Sequence, residues 1–338
     1  MTQEDYDISE EKPKNKKNKQ ITRIIIIIIL IIILLFSFVW AGYIRCSKIP
    51  GMCQIYWGIQ TFVTGIQQPN ILILYDPTDI NGLGNPYLLQ KALTENISGG
   101  YHPQLKPITY FSKDTLQGVS LVIVDKARKI STTKLETLMD YVQTGGRLIW
   151  IGDAGVELEE QNERYATVQD ITEDSNDTTQ LGNWARVNGD WVLRFDEFLG
   201  VKYITNYCNL KECKTKEYEI PNGAKIKIKN PEQINGNLVA NTSNSLTYGL
   251  KEYLPNNNDF AIVETLSAGY EAPLKLDYGT KLFSENYNGG LGPVFPLIVI
   301  SNNKKVIYYA IPPEYFVEPE DKDKYYSIIE NMLDGILK

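Results

Sequence analysis

An uncharged apolar run near the amino terminus constrains this chain more than any other feature. Residues Ile24 to Ile44 contain no charged side chain and begin with a block of isoleucines. A helix of about twenty apolar residues spans the hydrocarbon core of a bilayer, which is about 30 Å thick. The run therefore predicts a transmembrane helix over residues 24–44. A cleaved secretory signal is the alternative, although signal cores are shorter than this run.

Basic residues flank the run unequally, and this asymmetry predicts its orientation. Six lysines and arginines precede it, whereas only Arg45 and Lys48 follow closely. Basic flanks stay in the cytoplasm. The sequence therefore predicts a single-pass protein of the cell membrane with a cytoplasmic tail (1–23), a juxtamembrane segment (45–69) and an extracytoplasmic domain (70–338). The predicted helix makes the lipid bilayer one partner of the protein.

The charge of the external part argues against one class of partner. The whole chain has a formal net charge of −7 and a pI near 5.1. Because the basic tail is counted in that total, the external part is more acidic still. Phosphate backbones bind basic surfaces, so we expect no nucleic acid partner there.

Four cysteines fall into two close pairs, Cys46 with Cys53 and Cys208 with Cys213. Close pairs in an oxidising compartment are typical of local disulfides. A single zinc site with four thiolates is the alternative, but neither pair has the two-residue spacing of such sites. We therefore predict two disulfides.

Strand and helix patterns alternate in the first half of the external domain. Helices are predicted over 87–94 and from Ser131 to the Gly145-Gly146 pair, and strands over 70–75, 106–110, 119–124 and 147–151. Such alternation predicts an α/β fold with a doubly wound, mostly parallel, flavodoxin-like sheet.

The pattern then changes. An acidic segment over 155–190 is predicted to be an insertion, since it lacks the glycine-centred ligand pattern of a calcium loop. A short helix is predicted over Trp191–Leu199, followed by a β-rich region to Asp277. A hairpin around Asn302-Asn303 and a helix over Lys322–Leu337 complete the chain.

The chain resembles the class I glutamine amidotransferase-like domains, including the ThuA-like proteins and non-catalytic, membrane-associated branches. The resemblance covers residues 70–338 and is carried by five segments: Ile71–Asp76, Leu121–Asp125, Gly145–Gly152, Asn244–Gly249 and Lys304–Glu314. It implies a cysteine nucleophile on the turn Gly152-Asp-Ala-Gly155, and a histidine in the stretch that matches Pro312-Pro-Glu314.

Neither catalytic residue is present at those positions. The turn has Asp153 instead of cysteine, and a proline replaces the histidine. The chain's one histidine, His102, lies in a Tyr-His-Pro segment elsewhere. Cysteine-dependent amide hydrolysis needs an activated nucleophile and a base, so we expect no enzyme of this kind and no catalytic residue.

Carboxylates at strand ends form the one candidate ligand site. Asp76, Asp125 and Asp153 follow three predicted strands, Asp79 lies close to the first of them, and Glu314 lies in the last matching segment. Ligands of doubly wound sheets bind outside the carboxyl ends of strands, and clustered carboxylates suit a divalent cation. The simpler interpretation is that aspartates at strand ends cap turns.

These observations predict a binding or scaffolding module at the cell surface. It would bind a protein partner, as an accessory subunit of an envelope or transport complex, and would need no cofactor. The alternative is an enzyme or sensor that uses the aspartate cluster, with a divalent cation, on a polar or glycan ligand.

Overall fold

The computed structural model describes most of the chain, in two compact units, Met1–Ile66 and Gln67–Lys338. The described residues are 15–40, 52–64, 68–95, 101–158, 186–187, 190–191, 193–219, 223, 225–232, 234, 236–250, 253–266, 271–284, 287–317 and 322–337.

The described residues of the first unit form two helices, α1 (Asn15–Trp40) and α2 (Met52–Thr64). The stretch Ile21–Phe38 of α1 is long and apolar enough to cross a membrane, by length and composition, and an amino-terminal signal sequence has the same properties. Its isoleucines are about half exposed. Residues 41–44 of the predicted span and Cys46 lie outside the described residues.

The second unit is built on a nine-stranded sheet with helices beside it. Its helices are α3 (Pro86–Glu95), α4 (Thr132–Gln143), α5 (Phe195–Leu199), α6 (Tyr207–Leu210) and α7 (Lys322–Leu337). The nine strands of the sheet, in chain order, are β1 (Ile71–Tyr75), β2 (Gln104–Pro107), β3 (Leu121–Val124), β5 (Arg147–Ile151), β12 (Asn237–Ala240), β13 (Tyr253–Pro255), β15 (Glu271–Asp277), β18 (Val294–Ile300) and β19 (Val306–Tyr309).

The remaining strands form two-stranded pairs. They are β4 (Lys129–Ile130) with β6 (Glu157–Leu158), β7 (Arg186–Val187) with β8 (Asp190–Trp191), β9 (Val201–Asn206) with β14 (Ala261–Thr265), β10 (Cys213–Glu219) with β11 (Lys225–Pro231), and β16 (Leu282–Ser284) with β17 (Tyr287–Leu291).

The strand order of the large sheet confirms the predicted fold class. Its parallel half runs β2-β1-β3-β5-β19, the order of flavodoxin-like folds. The other half, β18-β15-β12-β13, is antiparallel and supplies the β-rich later part. Every residue of the central strands is buried except Arg147 at the start of β5, as expected of strands covered on both faces.

The helix ends follow the sequence signals. Ser131 is the N-cap of α4, and its Oγ accepts from the Lys134 N–H at 3.4 Å. The helix stops before Gly145, which adopts a φ of +114°. Helix α7 has the predicted bounds, and its apolar face, including Ile328, Met332 and Leu333, is buried.

Two predicted elements were wrong. The strand predicted over 106–110 ends at Pro107, and a 3₁₀ turn occupies Ile108–Tyr110, because proline has no N–H for the ladder. The helix predicted from Trp191 begins at Phe195, since Asp190 and Trp191 form β8. Of the acidic segment 155–190, residues 159–185 lie outside the described part, and β6 pairs with β4.

Candidate functional site

Three aspartates lie at the carboxyl ends of adjacent parallel strands. Asp76 follows β1, Asp125 follows β3, and Asp153 lies two residues beyond β5. All three are buried, with exposed fractions of 7%, 0% and 0%. The strand order β1-β3-β5 thus places these residues at the same end of the parallel strands.

Asp76 closes its own turn. Its Oδ1 accepts from the Thr78 N–H at 2.8 Å and from the Thr78 Oγ1 at 2.7 Å. This is the local capping that makes aspartate common after strands. Asp76 therefore fits the simpler interpretation of a turn residue.

Asp79 joins the loop after β1 to the segment after β3. Its Oδ1 accepts from the Gly82 N–H at 2.7 Å and the Asn81 N–H at 3.2 Å, while its Oδ2 accepts from the Arg128 N–H at 3.0 Å. A Cβ at Gly82 would overlap the Asp79 carboxylate. This close approach explains why the loop Asn81-Gly-Leu-Gly84 is rich in glycine.

Asp153 occupies the turn where the resembled family has its nucleophile. Its Oδ1 accepts from the Leu83 N–H at 2.8 Å, and its Oδ2 accepts from Asn206 Nδ2 at 2.8 Å. Arg128 Nε lies 3.4 Å from Oδ2, an ion pair without hydrogen-bond geometry. Burial raises the pKa of Asp153, although Arg128 and Asn206 oppose that rise. Both carboxylate oxygens are thus engaged inside the protein.

The turn around Asp153 is itself fixed by buried contacts. Gly152 has a φ of +61°, and its carbonyl accepts from Tyr308 Oη at 2.7 Å. Trp150 Nε1 donates to the Ala154 carbonyl at 3.0 Å. Glycine adopts a φ in this region without the steric cost that a Cβ brings. These bonds hold the turn between β5 and β6 in one shape, in which the Asp153 side chain points to internal partners.

Asp125 and Glu314 form a second buried pair with unusual properties. Neither Asp125 oxygen nor Glu314 Oε2 has a hydrogen-bond partner among the described residues. Glu314 Oε1 accepts from the Asn85 N–H at 2.6 Å. Burial, followed by the charge of Glu314, raises the pKa of Asp125 well above its usual range, and burial raises the pKa of Glu314 to about 7. These carboxyls hold protons more tightly than exposed ones.

Lys126 supplies the cation beside this pair. The side chain is 2% exposed, its backbone has a φ of +50°, and Nζ donates to the Gly82 carbonyl at 2.6 Å. Burial lowers its pKa, although the neighbouring carboxylates oppose that change. Gly84 lies against the same pair, because a Cβ there would overlap Asp125 Oδ1.

Several residues at this edge were not predicted from the sequence. Asn206 ends β9, and its Oδ1 accepts from Tyr203 Oη at 3.0 Å. The Oδ1 of buried Asp259 accepts from the Cys208 N–H at 3.0 Å, and burial raises the Asp259 pKa to about 7. Lys126 and Arg128 closely follow a strand-end aspartate, which was a usable signal. Nothing in the local sequence marks Asn206 or Asp259.

A small polar cavity of about 30 Å³ lies beside Arg128 and Asn206, with room for about one water. Its lining combines cationic, amide and backbone groups with two further polar side chains: Arg128, Lys227, Lys229, Asn81, Asn206, Asn209, Gly82, Leu83, Asp259 and Tyr315. None of Asp76, Asp125 and Asp153 belongs to that lining. The strand-end aspartates therefore do not line this cavity.

The described residues contain few groups suited to metal or thiol chemistry. No cluster of three or more His, Cys, Asp or Glu in that part of the chain is arranged to hold a metal ion. Cys208 and Cys213 are joined in a disulfide, which confirms this predicted pair. The other predicted bridge, Cys46 with Cys53, lies outside the described side chains. His102 is exposed, before β2.

Comparison with known proteins gives a likeness of fold. No family model matches the chain, and no curated protein does. Among solved structures, it is similar to a ThuA-like protein from Bacteroides uniformis (14% identity, 80% of this chain and 91% of that one, TM-score 0.46). A GMP synthase component from Thermoplasma acidophilum gives 11% identity over 79% of this chain and 95% of that one, with a TM-score of 0.40.

A β-galactosidase from Rahnella sp. R3 gives 13% identity and a TM-score of 0.45 over 80% of this chain, which spans only 31% of that enzyme. At these identities the likeness concerns the arrangement of strands and helices alone. The chain's own strand order makes it an α/β protein of flavodoxin-like topology.

Proposed function

We propose that this chain is a membrane-anchored binding or scaffolding module whose amidotransferase-like domain carries out no amide chemistry. The proposal rests on the burial and hydrogen bonding of the Asp153 carboxylate. A nucleophile needs an accessible atom and a base beside it, whereas Asp153 is fully buried with Leu83 and Asn206 on its two oxygens. The turn that matches the family's catalytic turn is used here as an internal connection.

The same contacts explain what the loop after β1 does. Leu83 binds Asp153, Asn85 binds Glu314, and the Gly84 N–H donates to Tyr315 Oη at 2.8 Å. Three consecutive backbone N–H groups of this loop thus donate to side chains that follow β5 and β19. This loop closes the edge at which doubly wound sheets bind small ligands, which favours a partner that binds the outer surface.

The anchor and orientation belong to the same proposal. Helix α1 has the length and composition of a span, and the basic residues before it favour a cytoplasmic amino terminus. The domain then lies outside, with a protein partner in an envelope or transport complex. Exposed aromatic side chains such as Tyr110, Tyr248 and Phe283 are of the kind that protein interfaces use.

Protease treatment of intact cells tests this arrangement. The protease should remove the domain and leave a membrane fragment with the amino-terminal tail, detected by an epitope tag at each end. Permeabilised cells are the control, in which both tags should be lost. A domain protected in intact cells and cleaved only after permeabilisation would contradict the external location.

A second function is favoured by a specific observation, the unpaired oxygens of Asp125 and Glu314. Buried carboxylates without donors are suited to a proton or a cation, which is the basis of an enzyme or sensor on a polar or glycan ligand. Thermal stabilisation by magnesium or calcium that Asp125→Asn abolishes would support this alternative. The same ions should have no effect if the first proposal is right.

A further inference from the structure

Helix α2 exposes an apolar surface that the described residues of its own unit do not cover. Ile55, Ile59 and Phe62 are 54%, 37% and 90% exposed, and Val63 is 67% exposed. The spacing of the first three, four and three residues, puts them on one face of the helix. Contiguous exposed apolar surface of this kind marks an interaction site.

The chain around α2 has no charge. From Ile49 to Tyr75 there is no Asp, Glu, Lys or Arg. A helix on the surface of a water-soluble unit normally has a charged face, and α2 lacks one. Its 13 residues make a helix of about 20 Å, too short to span a bilayer.

A ring contact fixes the depth of α2 relative to α1. The rings of Phe36 and Tyr56 lie 6.4 Å apart between centroids, and Trp57 packs edge-on against Tyr56 at 5.4 Å. Phe36 is two residues from the end of the apolar stretch Ile21–Phe38. Tyr56 and Trp57 therefore lie at the level where that stretch ends, which in a membrane is the interface that tyrosine and tryptophan favour.

We infer that α2 is an interfacial helix which buries Ile55, Ile59, Phe62 and Val63 in the outer leaflet beside α1. The inference rests on the proposed function, because it requires α1 to span the membrane. The partner is the lipid bilayer itself, bound through apolar insertion and not through charge. Attachment of α2 is therefore independent of anionic lipid and of salt, unlike that of basic amphipathic helices.

Fluorescence quenching by brominated lipid tests the inference. The full chain and its Phe62→Trp variant are reconstituted in phosphatidylcholine vesicles whose acyl chains carry bromine. The fluorescence that the new tryptophan adds to that of the parent chain should be much weaker in brominated vesicles than in unbrominated ones. Phe283→Trp is the matched control, since Phe283 is an exposed phenylalanine of the second unit, and its added emission should be retained. Adding anionic lipid or salt should change neither result.

Alkaline extraction of the same vesicles separates this inference from the anchor. If the chain remains in the vesicles and Phe62→Trp is not quenched, the interfacial helix is wrong while the anchor stands. If the chain is extracted, the anchor itself fails. Equal quenching of both tryptophans would indicate non-specific adsorption and would overturn the inference. So would unquenched Phe62→Trp with cross-linking between copies, because the face would then bind a second chain.

Discussion

The backbone N–H of Leu83 donates a 2.8 Å hydrogen bond to Asp153 Oδ1, which joins the loop after β1 to the turn after β5. These residues are 70 positions apart, and Asp153 is fully buried. The bond makes Asp153 a structural connection between two segments at the carboxyl ends of the strands.

Removal of that carboxylate should destabilise the domain. Asp153→Ala leaves the Leu83 N–H and Asn206 Nδ2 without their acceptor. The Asn206 amide cannot flip to compensate, because its Oδ1 accepts from Tyr203 Oη. Unsatisfied buried donors and a broken buried ion pair predict a loss of about 3 kcal/mol. Urea unfolding of the detergent-solubilised chain measures it.

Asp140→Ala is the matched control, because Asp140 is an exposed residue of α4. We expect a change within about 0.5 kcal/mol there. Equal stability of the two variants would contradict the role assigned to Asp153.

Gly84 should tolerate no side chain. Its φ is +106°, and a Cβ would overlap Asp125 Oδ1, so Gly84→Ala should cost about 3 kcal/mol from strain and overlap together. Gly118 also has a positive φ, +72°, but a Cβ there meets nothing within 4 Å. Gly118→Ala should cost only about 1 kcal/mol. Thermal unfolding compares the two, and similar losses would contradict close packing of Gly84 on Asp125.

Stability should decrease as the pH rises from mildly acidic to neutral. Burial raises the pKa of Glu314 from 4.5 to about 7, and burial raises that of Asp259 to about 7. Between the unfolded and native pKa values the native state binds more protons, so stability is complete below about pH 4.5 for Glu314 and is lost as the pH passes about 7.

Glu314→Gln tests whether stability decreases with rising pH because of the Glu314 carboxyl. The glutamine keeps an acceptor for the Asn85 N–H without a charge. We expect a flatter profile and about 2 kcal/mol more stability at about pH 8. Glu264→Gln, at an exposed position of β14, should leave the profile unchanged. A native chain that gains stability between pH 5 and 8, or an unchanged slope in Glu314→Gln, would refute the proton-holding pair.

The Cys208–Cys213 bridge should stabilise the domain without being required for folding. It closes a loop with a sequence separation of 5. Constraint of so short a loop in the unfolded chain predicts about 2 kcal/mol. Cys213→Ser in the full chain should lower the unfolding midpoint and retain the native circular dichroism spectrum. Loss of that spectrum would show that the bridge does more than constrain the unfolded chain.

The sequence predicted the parts of the fold that depend on local patterns. Uninterrupted apolar runs gave β1 and β3, and the Ser131 cap with Gly145 gave the limits of α4. Each of these signals lies within one element. The error at residues 106–110 arose where an apolar pattern extended beyond a proline that ends the strand.

The candidate site was less predictable, for a physical reason. The strand-end aspartates could be found because each follows an apolar strand pattern in the local sequence. The Asn206 side chain donates to Asp153, and the backbone N–H of Asn85 donates to Glu314, across 53 and 229 residues of sequence. Such contacts arise from tertiary packing, and the local sequence around either donor does not indicate them. Helix α2 was likewise included in a juxtamembrane segment without assigned structure.

Amide hydrolysis is the most direct test of the central claim, that the turn at Asp153 is structural and not catalytic. Release of glutamate and ammonia from glutamine by the purified full chain should be undetectable, with or without magnesium or calcium, because no accessible nucleophile and base lie together at the turn. Turnover that Asp153→Asn abolishes, in a variant shown to be folded, would contradict the account and make Asp153 a catalytic residue.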